Sequence, residues 1–212
     1  MKDYDIYLFD WDGTLANSTS VWFRAAKNQF SAHGLNPSDA DVIRGMGNWN
    51  SALKAGIRQS QLDAFREGVR AEAKANLPNA PLFPGAHEVL ADLKQSGKKL
   101  AVVTAMHRDI IDAMLAHHGY DETFFDVVVS GSDVAELKPH PEGLLLALDG
   151  LDRQPNDRVL MLGDTERDIL AAHAAGVDSL LFFPPEHRVF HDLDDFKQHN
   201  PTHVITGWSD FS

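Results

Sequence analysis

Ile6-Tyr7-Leu8-Phe9-Asp10-Trp11-Asp12-Gly13-Thr14 runs from four strand-forming apolar residues straight into two aspartates and a glycine. Comparable runs follow at Leu100-Ala101-Val102-Val103, Val127-Val128-Val129, Val159-Leu160-Met161-Leu162 and Ser179-Leu180-Leu181-Phe182-Phe183. Each is continuous rather than alternating, the pattern of strands buried on both faces between layers of helix. Between them lie stripes of helical period. Val89, Leu90 and Leu93 follow Pro84-Gly85 and stop at Gly97, and Ile110, Ile111, Met114 and Leu115 stop at Gly119. Pro141 stands where the first residue of a helix would be, ahead of Leu144, Leu145 and Leu148, and Ile169 to Ala175 end at Gly176. Strand alternating with helix predicts an α/β fold, a doubly wound parallel sheet of Rossmann-like type.

Residues 17–83 break that rhythm. Val21, Trp22, Ala25 and Phe30, then Leu62, Phe65, Val69 and Ala73, have helical spacing with no strand between them. The segment reads as an inserted α-helical cap domain, with the core formed by 1–16 and 84–212. Arg44-Gly45-Met46-Gly47-Asn48 is expected to interrupt its helices, and Asn76 to Pro81 to carry the chain back.

In open α/β sheets ligands bind beyond the carboxyl ends of the strands, and these ends are polar. The first run ends in Asp10 and Asp12, the second in Thr104, and the fourth in Gly163-Asp164 with Asp168 four residues on; Lys138 lies in the loop after the third. One carboxylate can attack phosphorus while a second, two residues away, handles the protons of leaving group and water. Asp164 and Asp168 offer hard oxygens suited to Mg2+, which takes few protein carboxylates beside water and phosphate oxygens. Four carboxylates in one place need compensating charge, which the cation and Lys138 would supply. Alone, each of these residues also fits a turn, a cap or a solvated loop; together they fit phosphoryl transfer.

Composition narrows the partners. The 212 residues include 19 basic and 31 acidic side chains, a formal charge of −12, and 43% are hydrophobic. An acidic chain with a full core argues against nonspecific nucleic-acid binding and against docking on anionic membrane. The absence of cysteine excludes disulfides, thiol nucleophiles and thiolate metal sites. The first residues are too acidic for a secretory segment, and no apolar run approaches the ~18 residues of a membrane span. The expectation is a soluble, cytoplasmic protein, and no pattern specifies an oligomeric state.

Asp10-Trp11-Asp12-Gly13-Thr14-Leu15, Val103-Thr104-Ala105, Lys138-Pro139-His140-Pro141-Glu142 and Gly163-Asp164-Thr165-Glu166-Arg167-Asp168 resemble, in order, the four motifs of the haloacid dehalogenase superfamily of hydrolases. The resemblance covers essentially the whole chain, and residues 17–83 resemble the helical cap of the subgroup with phosphoglycolate phosphatase and β-phosphoglucomutase. It implies Asp10 as nucleophile, Asp12 as general acid and base, and Thr104 as a hydrogen-bond partner of the phosphoryl group, helped by amides near Trp11, Asp12 and Ala105. Lys138 would bridge Asp10 and the phosphoryl group. Asp10, Asp164 and the Asp12 carbonyl would hold magnesium, with Asp168 beside it directly or through water. Dehalogenases of the superfamily lack the second aspartate, and its mutases tend to have valine where this chain has Thr14. The implied function is a magnesium-dependent phosphatase of a small phosphorylated metabolite; the alternatives are a phosphomutase of the β-phosphoglucomutase type and a catalytically idle interaction module.

By the same resemblance Arg44, Gly47 and Asn48 fall where such a cap carries its substrate-binding loop. His107 and Arg108 stand after the second motif, where helix capping is an equally good reading. His187 and His191 have the i, i+4 spacing of a zinc pair but no evident third ligand. The tail from Pro184 onward is read as carrying no chemistry beyond a last strand at Val204-Ile205.

Overall fold

The computed structural model describes residues 3–47, 50–121, 123–155, 158–189 and 191–211. Among them, strands β1 (Ile6–Phe9), β2 (Lys99–Val103), β3 (Val127–Val129), β4 (Val159–Gly163), β5 (Asp178–Phe182) and β6 (His203–Ile205) form one sheet in the order β3-β2-β1-β4-β5-β6. Every pairing is parallel. The chain runs outward from β1 to β2 and β3, then returns to the other side of β1 for β4, β5 and β6. The switch point of the sheet therefore lies at the end of β1, where a crevice opens.

The helices are α1 (Thr19–Ala32), α2 (Asp39–Gly47), α3 (Asn50–Lys54), α4 (Leu62–Asn76), α5 (Ala86–Gln95), α6 (Arg108–His117), α7 (Glu142–Gly150), α8 (Glu166–Ala175) and α9 (Leu193–Lys197). Successive strand residues point to opposite faces, and both faces are covered. Tyr7, Phe9, Leu100, Val102, Leu160 and Leu162 pack with Leu90 of α5 and with Ile111 and Met114 of α6. Ile6, Leu8, Ala101, Val103 and Met161 pack with Leu144 and Leu148 of α7 and with Ala171 and Ala172 of α8. Leu8 and Phe9 are wholly buried, each side chain stabilising the fold by ~2 kcal/mol. This double burial is why the strand runs are continuous in apolar residues.

Helices α1 to α4 enclose their own apolar cluster, with Phe30, Val42, Ala52, Phe65 and Val69 at its centre. The rings of Phe30 and Phe65 lie 4.7 Å apart. Of residues 44–48, expected to interrupt the helices, Arg44 to Gly47 instead complete α2, which ends at Gly47 ahead of a separate α3, and Asn48 lies outside the described residues. Its start is secured by Ser38, whose Oγ accepts the Asp41 N–H, with Asp39 and Asp41 in the first turn favouring the helix dipole. The two glycines cost about 1 kcal/mol each relative to alanine, which burial of Val42 helps to offset. The strands of chain entering and leaving this helical segment are hydrogen-bonded to each other, Asn17 N–H to the Pro81 carbonyl at 2.8 Å and Phe83 N–H to the Leu15 carbonyl at 2.9 Å. No helix among the described residues is long and apolar enough to cross a membrane.

Candidate active site

Sheet register brings the polar strand ends together. Phe9 pairs with Val102 on one side and Leu162 on the other, so Asp10 emerges between Thr104 and Asp164, each two residues beyond its strand partner. Asp10, Asp12, Thr104, Ala105, Lys138, Asp164 and Asp168 line one cavity of about 410 Å³. Two glycines make this crowding possible. Gly13 adopts φ +87°, and a Cβ there would overlap the Asp164 carboxylate; a Cβ on Gly163 would overlap the side chain of Asp168.

Lys138 is the electrostatic centre. Its Nζ lies 2.6 Å from Asp10 Oδ1 and 2.7 Å from Asp168 Oδ1, and donates to the Val103 carbonyl at 2.9 Å. The three donors of the ammonium are thus all engaged. Burial opposes its charge, but the charges of Asp10 and Asp168 outweigh that and hold its pKa above the ordinary lysine value. Asp168 has two occupations. Its Oδ2 accepts the main-chain N–H and hydroxyl of Thr165 at the start of α8, while Oδ1 faces Lys138. Asp168 therefore caps the start of α8 and lines the cavity at the same time.

Burial pushes Asp10 up to about 6, with the charge of Asp168 adding to it and Lys138 opposing. Asp12 is pushed up to about 7 by burial and by the Asp10 charge. Asp164 is raised well above the carboxylate range by burial and by the charges of Asp10, Asp168 and Asp12. One lysine cannot balance four carboxylates, so the site favours a cation. Ligand oxygens of Asp10, Asp164 and Asp168 lie within 4.8 Å of one another, and hard carboxylate oxygens at that spacing fit a divalent ion. Asp164 is the most available of them. Its side-chain polar contacts among the described residues are the Thr14 hydroxyl, 3.4 Å from Oδ1, and His187 Nδ1, 3.8 Å from Oδ2.

Thr104 is buried, and its Oγ accepts the Met106 N–H at 3.2 Å. With an acceptor role filled, the hydroxyl proton is free to donate into the cavity. Thr104 is not a helix cap, because α6 begins at Arg108 behind His107. Arg108 is held by the Val128 carbonyl and by Asp133, and His107 faces Ser132; both serve the β3 side of the fold. The Trp11 indole is fully buried beside His118, Tyr120 and Phe125, so only its main chain can meet a ligand. Arg44 is exposed and paired with Asp41 one helical turn back at 2.5 Å, and it is not among the described residues that line the cavity; Gly47 is described only as the last residue of α2. The continuation of α2 directs that pairing. Asn48 lies outside the described residues.

The tail corrects the sequence reading. His191 lines the cavity, His187 is buried against Asp164, and the Trp208 indole N–H donates to the Thr14 carbonyl at 3.2 Å. The i, i+4 spacing of His187 and His191 is legible in the sequence, but their place beside the carboxylate cluster is not, and Trp208 carries no local signal at all.

The family model described as haloacid dehalogenase-like hydrolase matches residues 7–182. The chain is 31% identical over 174 residues to Pyrophosphatase PpaX of Bacillus cereus, covering 80% of this chain and 78% of that protein. It is 33% identical over 182 residues to Validoxylamine A 7'-phosphate phosphatase of Streptomyces hygroscopicus subsp. limoneus, covering 82% and 83%. The crystal structure of a haloacid dehalogenase-like hydrolase from Bacteroides fragilis superposes with a TM-score of 0.73 at 30% identity, over 99% of this chain and 100% of that one.

Proposed function

The chain belongs to the haloacid dehalogenase-like hydrolase family, and from that premise we propose that it is a magnesium-dependent phosphatase of a small phosphate monoester, working in the cytoplasm. The observation that carries this reading is the convergence of Asp10, Asp12, Thr104, Lys138, Asp164 and Asp168 on one cavity at the sheet switch point. The relative named as the phosphatase of a phosphate ester supports it, and the relative named as a pyrophosphatase supports the coarser reading of phosphoryl hydrolysis.

Asp10 attacks phosphorus, forming an aspartyl-phosphate, while Asp12 gives its proton to the departing alkoxide oxygen. Asp12 then takes a proton from water, whose oxygen attacks the same phosphorus and releases phosphate and the Asp10 carboxylate. The pKa of Asp12, about 7, suits a group that must act as both acid and base near neutral pH. Thr104 donates to a phosphoryl oxygen, and Lys138 shares one of its three donors with another. Asp10, Asp164 and the Asp12 carbonyl would hold Mg2+, with Asp168 beside it; the ion supplies positive charge against the phosphoryl oxygens.

Residues 17–83 act in this reading as a cap that closes over the cavity, excludes water and selects the leaving group. The hydrogen-bonded connections at Leu15–Phe83 and Asn17–Pro81 give it a single short hinge beside Asp12. The test is hydrolysis of an aryl phosphate with and without EDTA, in the parent chain and in Asp10→Asn. Loss in both the chelated and the mutated protein is expected. Full activity in either one would refute the mechanism.

A further inference from the structure

The match to the family model ends at residue 182, yet the chain beyond it returns to the carboxylate cluster. After β5 it passes Pro184 and forms a short turn over Pro185–Val189, which places His187 in the wall behind Asp164. The imidazole is 4% exposed. Phe83, Phe182 and Phe183 surround it nearly edge-on, with ring centroids 5.9, 6.3 and 6.1 Å away. Three rings at these angles hold the orientation of a fourth.

The two ring nitrogens have unlike surroundings. Nε2 is buried without a hydrogen-bond partner among the described residues. Nδ1 faces Asp164 Oδ2 at 3.8 Å. A neutral imidazole carries one proton, and an N–H buried without an acceptor costs about 1–3 kcal/mol. The proton is therefore better placed on Nδ1, toward the carboxylate. Oδ1 of the same carboxylate sits on the other side, by the Thr14 hydroxyl that also lies 3.4 Å from Asp10 Oδ2. The gap at Nδ1 is about 1 Å longer than a formed N–H···O bond.

We propose that His187 is a positioning residue for the metal site: its Nδ1–H takes Asp164 Oδ2 and so keeps Oδ1 turned toward Asp10 and the cation. The arrangement is a histidine acting behind a ligand, where an outer partner fixes the ligand's direction and its loss weakens metal binding. Asp164 needs such a partner more than Asp10 or Asp168 does, because those two are already fixed by Lys138. The inference rests on the reading of the acidic cluster as a Mg2+ site.

The test is calorimetric titration of the full chain with Mg2+ alone, without substrate, in the parent, His187→Asn and His187→Gln, each checked for folding by thermal melting. Asparagine carries its amide nitrogen near the Nδ1 position and glutamine near the Nε2 position. His187→Gln is expected to weaken Mg2+ binding by about tenfold or more, while His187→Asn keeps most of the parent affinity. Equal Mg2+ affinity in the two variants, at the parent level or below it, overturns the proposal, since a packing role alone would not distinguish them. Absence of Mg2+ binding by the parent would remove the metal reading and this inference with it, whereas normal binding by the parent and by His187→Gln removes this inference alone.

Discussion

The indole N–H of Trp208 donates to the carbonyl of Thr14 across 194 positions of sequence, at 3.2 Å and in a buried setting. Thr14 in turn places its hydroxyl 3.4 Å from both Asp10 Oδ2 and Asp164 Oδ1. The C-terminal turn thus anchors the loop from which the proposed nucleophile attacks. Phe9 and Phe182 hold the indole in place, the latter stacked at 4.9 Å.

Trp208→Phe keeps the ring packing and leaves the Thr14 carbonyl without its donor. An unpaired buried carbonyl costs about 1–3 kcal/mol, and that loss of stability is expected in urea denaturation. A several-fold fall in kcat with little change in KM should accompany it. A variant with unchanged kcat would show that the loop keeps its geometry without the tail.

Lys138→Met removes the cation shared by Asp10 and Asp168 and leaves their buried carboxylates uncompensated. Breaking a buried ion pair in this way costs about 3–5 kcal/mol, to be read as a lower urea midpoint in EDTA. The loss should be smaller in excess Mg2+, where a second cation can take the charge.

Gly13→Ala tests the close approach at φ +87°, where the new methyl group meets Asp164. The left-handed backbone costs roughly 1–2 kcal/mol for alanine, and displacement of Asp164 is the larger effect. Mg2+ affinity measured by calorimetry should fall with activity, in contrast to an alanine placed at exposed Gly97.

Asp12 in the metal-free protein is expected to titrate near pH 7, measurable from its carboxyl carbon by NMR. Because its folded pKa lies above the ordinary 3.8, its contribution to stability is complete below that value and is lost as pH rises through about 7. In Asp10→Asn the midpoint should move down, since one cause of the rise, the Asp10 charge, is gone. A midpoint that stays near 7 there would assign the shift to burial alone.

A hexose 1-phosphate offered to the protein should yield hexose and free phosphate, with no 6-phosphate isomer. Isomer without phosphate release, followed by NMR of phosphorus, would select the mutase instead of the phosphatase. The presence of Thr14 where the mutases tend to have valine is the basis of this expectation.

The sequence by itself determined the sheet and the list of groups at its strand ends. Strands buried on both faces must be apolar throughout, so β1, β2, β4 and β5 are written as contiguous runs, and the residue after each run is identifiable without coordinates. It also placed residues 17–83 in helices, because an apolar stripe of helical period is a local pattern. Tertiary structure alone decided how those groups are used. The sequence could not specify that Lys138 spends all three donors, that Asp168 both caps α8 and faces that lysine, or that Arg44 stays within a continuous α2. Nor did it reveal that His187 and Trp208 back the site. Those relationships join side chains from different elements, and they depend on sheet register, on crossovers and on the path of the tail across the sheet edge. Local hydrophobic period encodes which residues are buried; it carries no record of which buried residues meet.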